Sequence, residues 1–172
     1  GRTLSGQTID AFVSSFSQAK LLSIGLNCSL GAKQIEPYLS TLSNLSPCFV
    51  SVYPNAGLPN HFGNYDQSAE EMAYYIHSFA VNGLVNIVGG CCGTTPEHIC
   101  AIAESINGIK PRKLNNITKR TIVSGLEPLC IDFSRNFVNI GERTNVSGSR
   151  KFARLIRDKK YEEALSIALQ QV

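Results

Sequence analysis

Residues 84–97 read Leu84-Val85-Asn86-Ile87-Val88-Gly89-Gly90-Cys91-Cys92-Gly93-Thr94-Thr95-Pro96-Glu97. A short apolar run, a glycine-rich loop and a helix start follow one another here. Leu84 to Val88 is expected to be a strand, and Gly89 to Gly93 the loop after it. One threonine then serves as N-cap, with Pro96 in the first turn, and Thr94 with Glu97 has capping-box spacing. Ile99, Ile102, Ala103 and Ile106 mark the inner face of that helix.

Two similar units precede this one. Ile9, Phe12, Val13 and Phe16 repeat at helical spacing. Leu21 to Leu26 is a short apolar run, expected to be a strand buried on both sides, with Asn27-Cys28-Ser29-Leu30-Gly31 as its terminal loop. A helix is expected from Ala32 to about Leu42, with Pro37 either in its first turn or kinking it. Cys48 to Tyr53 reads as the next strand. It runs into a loop of turn formers, Pro54-Asn55-Ala56-Gly57-Leu58-Pro59-Asn60. Ala69, Met72, Ala73, Ile76, Phe79 and Ala80 mark a helix ended by Asn82-Gly83. Strands alternating with helices imply an α/β fold with a parallel sheet. A doubly wound sheet and a (β/α)8 barrel both satisfy that order. Each strand ends in a polar or cysteine-bearing loop, which favours the barrel, whose sites gather at that face. Three strands cannot close eight, so residues 1–109 are expected to be the C-terminal half of a barrel.

Downstream the pattern changes. Residues 110–136 show no strong periodicity and read as an interdomain linker, with a short strand near Thr121-Ile122-Val123. Phe137-Val138-Asn139-Ile140 reads as a new strand and Gly141 to Asn145 as its loop. Phe152, Leu155 and Ile156, then Tyr161, Ala164, Leu165, Ala168 and Leu169, continue in helical pattern, so 137–172 is expected to open a second barrel. Charge divides at the same place. Residues 1–109 carry three Lys/Arg and seven Asp/Glu, and residues 110–172 carry thirteen and six. The chain opens without Met and stops in helical pattern, so both ends are expected to be cuts.

A net charge of +3 is too small to argue for a nucleic-acid partner. No stretch approaches the roughly 20 apolar residues of a membrane helix. The 43 % hydrophobic content is enough for a packed core. Six cysteines, two of them adjacent, fit a reducing, cytoplasmic compartment better than a disulfide framework.

The chemistry gathers on Cys28, Cys91 and Cys92. These residues end strands two places apart, so their backbones stand roughly 10 Å from each other, and loops converging over the sheet end can bring three sulfurs to one ion. Adjacent residues on a strand point to opposite sides, so Cys91 and Cys92 can share a metal only if the chain leaves strand geometry there. On spacing alone, zinc, a tight turn with two inert thiols and a strained vicinal disulfide all remain open. Three thiolates on zinc would leave the fourth position open, as in catalytic sites, and a soft ligand such as a substrate thiol would suit it. Cys48, Cys100 and Cys130 read as small packing residues. His77 and His98 read as surface or packing residues, and His61 lies in the loop above the sheet end.

Gly25-Leu26-Asn27-Cys28 together with Gly89-Gly90-Cys91-Cys92-Gly93 resembles the zinc signature of the homocysteine S-methyltransferases. Tyr53 to Asn60, Ser124-Gly125-Leu126-Glu127-Pro128-Leu129 and Phe137 to Asn145 resemble the cobalamin-dependent methionine synthase branch, the last of them the start of its pterin-binding domain. The resemblance implies zinc on Cys28, Cys91 and Cys92, with homocysteine bound to it through sulfur. It implies Asn55 near the metal when substrate is absent, Glu142 and Asn145 at a folate site, and Thr144 near it. The implied reaction is methyl transfer from methyltetrahydrofolate to cobalamin and then to homocysteine. Cobalamin would be bound by a domain of the full-length protein that this chain lacks, so the chain alone is expected not to turn over. The competing readings are a cobalamin-independent methyltransferase using betaine or S-methylmethionine, and a structural or redox zinc module.

Overall fold

A computed structural model describes residues 1–118, 120–138 and 141–171. The chain divides into two compact units, Gly1–Asp132 and Phe133–Val172. The first runs α1 (Ile9–Ser15), β1 (Ser23–Gly31), α2 (Ala32–Leu45), β2 (Phe49–Asn55), α3 (Ala69–Val81), β3 (Ile87–Val88), α4 (Pro96–Ser105), β4 (Thr121–Ser124) and β5 (Pro128–Ile131).

The three expected strands form one parallel sheet in the order β1-β2-β3. The third is short as a ladder, yet its backbone follows β2 to the end. Asn86 N–H donates to Val50 O, Gly89 N–H to Val52 O and Cys91 N–H to Pro54 O. Alternation divides the residues between two faces. Ile24, Val50 and Val52 point into a core with Ile35, Leu39, Leu42, Met72, Ile76 and Phe79 from the helices. On the opposite face Phe49 and Ile87 remain 38 % and 37 % exposed. The helices thus cover one side of the sheet, and the expected burial of the first strand on both sides does not hold: Gly25 and Asn27 are exposed.

Helix ends follow local chemistry. Ser68 caps α3 by accepting from Glu71 N–H. The same helix closes at Gly83, where φ is +64°. Leu84 N–H reaches Phe79 O, and Gly83 N–H reaches Ala80 O, the paired bonds of a Schellman end. A Cβ at Gly83 would meet nothing within 4 Å, so its cost is backbone strain alone. Gly83→Ala is expected to destabilise by about 1 kcal/mol, read as a small fall in the urea midpoint with an unchanged slope.

Several expectations shift. Pro37 is the sixth residue of α2, beyond the first turn. At α4 the N-cap is Thr95, and the reciprocal partner is His98, not Glu97. Thr95 N–H donates to His98 Nδ1 at 3.3 Å, and His98 Nε2–H donates to Gln67 O at 2.9 Å. His98 is therefore buried and turns the helix so that Ile102 faces inward while Ile99 stays 46 % exposed.

The stretch read as linker holds an antiparallel hairpin, β4–β5. It docks on α1, with Ser124 Oγ donating to Ala11 O and Thr8 N–H to Leu126 O. In the second unit, α5 (Arg150–Arg157) and α6 (Tyr161–Leu169) pack through Leu155, Ala164 and Ile167. Lys159, at φ +58°, breaks the helical run between them. Leu165 and Leu169 are exposed, because the short α5 covers only one stripe of α6. Of the expected strand 137–140, Asn139 and Ile140 lie outside the described residues, and Phe137 and Val138 are in no strand among the described residues.

Candidate metal centre

β1 ends irregularly. Asn27 pairs with Tyr53, and the next pair is Gly31 with Asn55. Four steps along β1 therefore match two along β2, and the surplus bulges out. Cys28 and Ser29 sit there, both at φ +67°. The left-handed region costs a non-glycine residue about 1–2 kcal/mol, and such strain tends to collect at functional sites. Here the bulge carries the Cys28 side chain across the end of β2.

The Cys91–Cys92 turn meets it from the other side. Gly93, at φ +78°, makes the turn. Thr94 Oγ1 donates to Cys91 O at 2.7 Å, and Ala56 N–H donates to Cys92 O at 2.9 Å. Gly89 and Gly90 serve close approach instead: a Cβ on either would strike the Tyr53 ring or Thr94.

The result is a three-sulfur cluster. Cys28 Sγ lies 3.6 Å from Cys92 Sγ, and Cys91 Sγ lies 3.8 Å from Cys92 Sγ. All three sulfurs fall within 4.8 Å of one another. A disulfide needs about 2.05 Å, so neither pair is bonded, and all six cysteines are free thiols. Two sulfurs each 2.3 Å from a tetrahedral zinc stand about 3.8 Å apart. The donor set and its spacing thus fit a metal ion such as zinc. The three other cysteines lie outside the cluster: Cys48 beside Ser46, Cys100 beside Glu104 and Cys130 beside Asp132.

Asn55, 2 % exposed, stands beneath the cluster. Its Oδ1 accepts from Cys92 N–H at 3.2 Å. Hydrogen bonding differs from sulfur to sulfur. The Ser29 amide, then Cys92, Cys91 and Asn55, pull the Cys28 thiol below its ordinary pKa. Burial, followed by its thiol neighbours, pushes Cys91 up. Crowded thiols of this kind favour a cation that removes their protons.

Sequence reading missed Tyr65. It lies in the loop between β2 and α3, half-buried. Burial, then the charge and hydrogen bonding of Cys92, raise its phenol pKa. Only its place after a strand end marked it, because no spacing rule links it to the cysteines. His61, in the same loop, is exposed.

In the second unit, Glu142 Oε1 accepts from Thr144 N–H and Thr144 Oγ1–H. Those bonds, with Gln171, hold its carboxyl below the ordinary range. Asn145 Oδ1 accepts from Ser147 and Gly148 N–H at 2.8 and 2.9 Å. Glu142 and Asn145 are exposed, and Thr144 is half-buried.

Among the described residues, no helix is long and apolar enough to cross a membrane. The family model for homocysteine S-methyltransferase matches residues 1–106, which take in the whole parallel sheet and all three clustered cysteines. The chain therefore belongs to the homocysteine S-methyltransferase family.

Proposed function

We propose that this chain activates homocysteine as a thiolate on zinc held by Cys28, Cys91 and Cys92, for methyl transfer that forms methionine. The observation that carries this reading is the three-sulfur cluster at the C-terminal end of a parallel sheet, within a segment that belongs to the family. Three sulfur donors are one short of a tetrahedral set, as in sites that bind substrate. When bound, zinc supplies the Lewis acidity that lets a thiol ionise near neutral pH.

The chain's own residues do the positioning. The strained bulge presents Cys28, and the Gly93 turn presents Cys91 and Cys92. Asn55 ties the Cys92 backbone to β2, and we place it beside the incoming sulfur. The substrate thiolate is itself the nucleophile, so no protein nucleophile is required.

In the same reading, residues 1–109 are the C-terminal part of a (β/α)8 homocysteine barrel. Helix cover on one face of the sheet supports this, since a barrel keeps its helices outside. Residues 110–136 connect it to a pterin-binding barrel that begins at 137. Glu142, Thr144 and Asn145 would contact methyltetrahydrofolate there, and methylcobalamin on another domain of the full-length protein would carry the methyl group. The family match, over 1–106, is compatible with betaine or S-methylmethionine as donor. The stretch Phe137 to Asn145 favours the folate and cobalamin route.

The test is cobalt substitution. We expect one metal ion per chain, with sulfur-to-cobalt absorption that changes when homocysteine is added. A spectrum indifferent to the thiol would make the site a closed structural one and end this reading.

A further inference from the structure

A run of hydrogen bonds joins the start of α4 to the backbone of the cysteine turn. His98 Nε2–H donates to Gln67 O at 2.9 Å, Gln67 N–H to Ala56 O at 3.2 Å, and Ala56 N–H to Cys92 O at 2.9 Å. With the chain from Cys92 to His98 these bonds close a ring. The turn, the loop after β2 and the first turn of α4 are thereby held to one another. The Ala56–Gln67 bond pins both ends of the loop 57–66, as in compact surface loops. That loop packs back on the turn: a Cβ at Gly93 would come within 2.2 Å of the Tyr65 Cβ.

The partners fix the proton on the imidazole. Gln67 O can only accept, so Nε2 carries it. Thr95 N–H, at 3.3 Å, can only donate, so Nδ1 is bare and also accepts from Thr95 Oγ1–H at 2.9 Å. The neutral ring is a two-ended link. The third helical position usually carries glutamate or glutamine in a capping box. Glutamate would cap α4 as well, but has no proton for Gln67 O. The cap alone does not call for a donor; the loop does.

His98 is also the one side chain in the run. Ala56 and Cys92 take part through backbone groups. So does Gln67, whose side-chain Oε1 is buried with no hydrogen-bond partner among the described residues.

We infer that His98 is a positioning residue for the metal centre: its Nε2–H holds the loop after β2 and, through Ala56, the Cys92 carbonyl, and so aims the Cys92 sulfur. This rests on the zinc–homocysteine reading for the metal, and the tie from α4 to the turn can be measured without it.

The experiment compares variants of the full chain by two readouts. Amide hydrogen exchange on metal-free protein reports the tie, and competition for zinc with a chromophoric chelator reports the metal centre. In His98→Glu we expect the Ala56 and Gln67 amides to exchange about tenfold faster, as for one lost hydrogen bond. The Ile99 amide, bonded to Thr95 O in the first turn of α4, keeps its rate. Zinc affinity falls about tenfold. His98→Gln, with an acceptor and a donor, recovers both readouts. Gln67→Leu leaves both at wild type. Gly83→Ala, which strains the far end of α3, leaves zinc affinity unchanged and so separates position from stability. Wild-type exchange in His98→Glu would make His98 a helix cap alone and overturn the inference. Faster exchange with unchanged affinity would overturn it too, since the tie would not position the metal. Failure of the zinc–homocysteine reading shows separately, as a wild-type chain that takes up no zinc, and it would remove the metal role of His98 whatever the exchange rates.

Discussion

Cys92→Ser is expected to weaken the proposed zinc binding by about two to three decades, measured by competition with a chromophoric chelator. The magnitude follows from dividing the roughly 10–16 kcal/mol of a four-ligand zinc site among its donors. Each donor then carries about 2.5–4 kcal/mol, or two to three decades at 1.4 kcal/mol per decade. Serine is close in shape to cysteine but offers a hard oxygen that stays protonated at neutral pH, so the packing survives and the ligand does not. Cys92 is the position of choice because its sulfur stands in the middle of the cluster, 3.6 and 3.8 Å from the other two. Cys28→Ser should fall in the same range, and Cys100→Ser should leave affinity unchanged. Wild-type affinity in Cys92→Ser would remove the metal centre from this protein.

The second large effect lies at the other end of the sheet. Arg112 is 5 % exposed. Its Nε–H donates to Ser43 Oγ at 2.9 Å and its Nη1–H to Cys48 O at 3.0 Å. Its Nη2 donates to Ser43 O and Ser46 O, each at 2.6 Å. Asn115 Nδ2 adds bonds to Ser43 O and Asn44 O. These are carbonyls of the last turn of α2 and the chain just beyond it, which the helix cannot satisfy itself, and a cation there also suits the helix dipole. Burial lowers the guanidinium pKa, yet arginine stays charged at neutral pH.

Arg112→Met keeps much of the stem and removes every guanidinium donor. Ser46 O loses its donor, at about 1–3 kcal/mol. Ser43 O keeps Asn115 Nδ2 and Cys48 O keeps Ser46 Oγ, each losing one further bond at about 1 kcal/mol. We expect a total loss of about 3–5 kcal/mol, a large share of the roughly 5–15 kcal/mol that holds a typical domain together. Urea unfolding followed by circular dichroism should show it as a lower midpoint. Arg112→Lys, with a single ammonium in place of the planar fork, should recover only part. A loss below about 1 kcal/mol in Arg112→Met would show that water replaces the guanidinium at little cost.

Arg112 also marks where sequence reading stopped. Lys110-Pro111-Arg112-Lys113 looks like linker, because charge and proline without periodicity carry no signal of burial. Its partners lie some seventy positions upstream, at Ser43, Ser46 and Cys48. His98 misled in a similar way. It fills an inward position of α4 that hydropathy assigned to Ile99, because its second nitrogen finds the Gln67 carbonyl thirty-one positions away. The hairpin on α1 belongs to the same class, since its docking bonds join residues more than a hundred positions apart.

The order of strands and helices, the strand ends that carry Cys28, Asn55 and Cys91–Cys92, and the choice of three cysteines from six were all legible in the chain. These depend on local periodicity, turn chemistry and spacing, which the linear order records. Tertiary structure alone decided that the sulfurs meet at metal-ligand distance. That meeting needs a two-residue surplus on β1 and a glycine turn after β3 to be aimed at one point across β2. Likewise, neither the Tyr65 side chain against Gly93 nor the guanidinium of Arg112 under α2 could be read in advance. Both are fixed by partners that only folding brings near, and residue type carries no record of its distant neighbours.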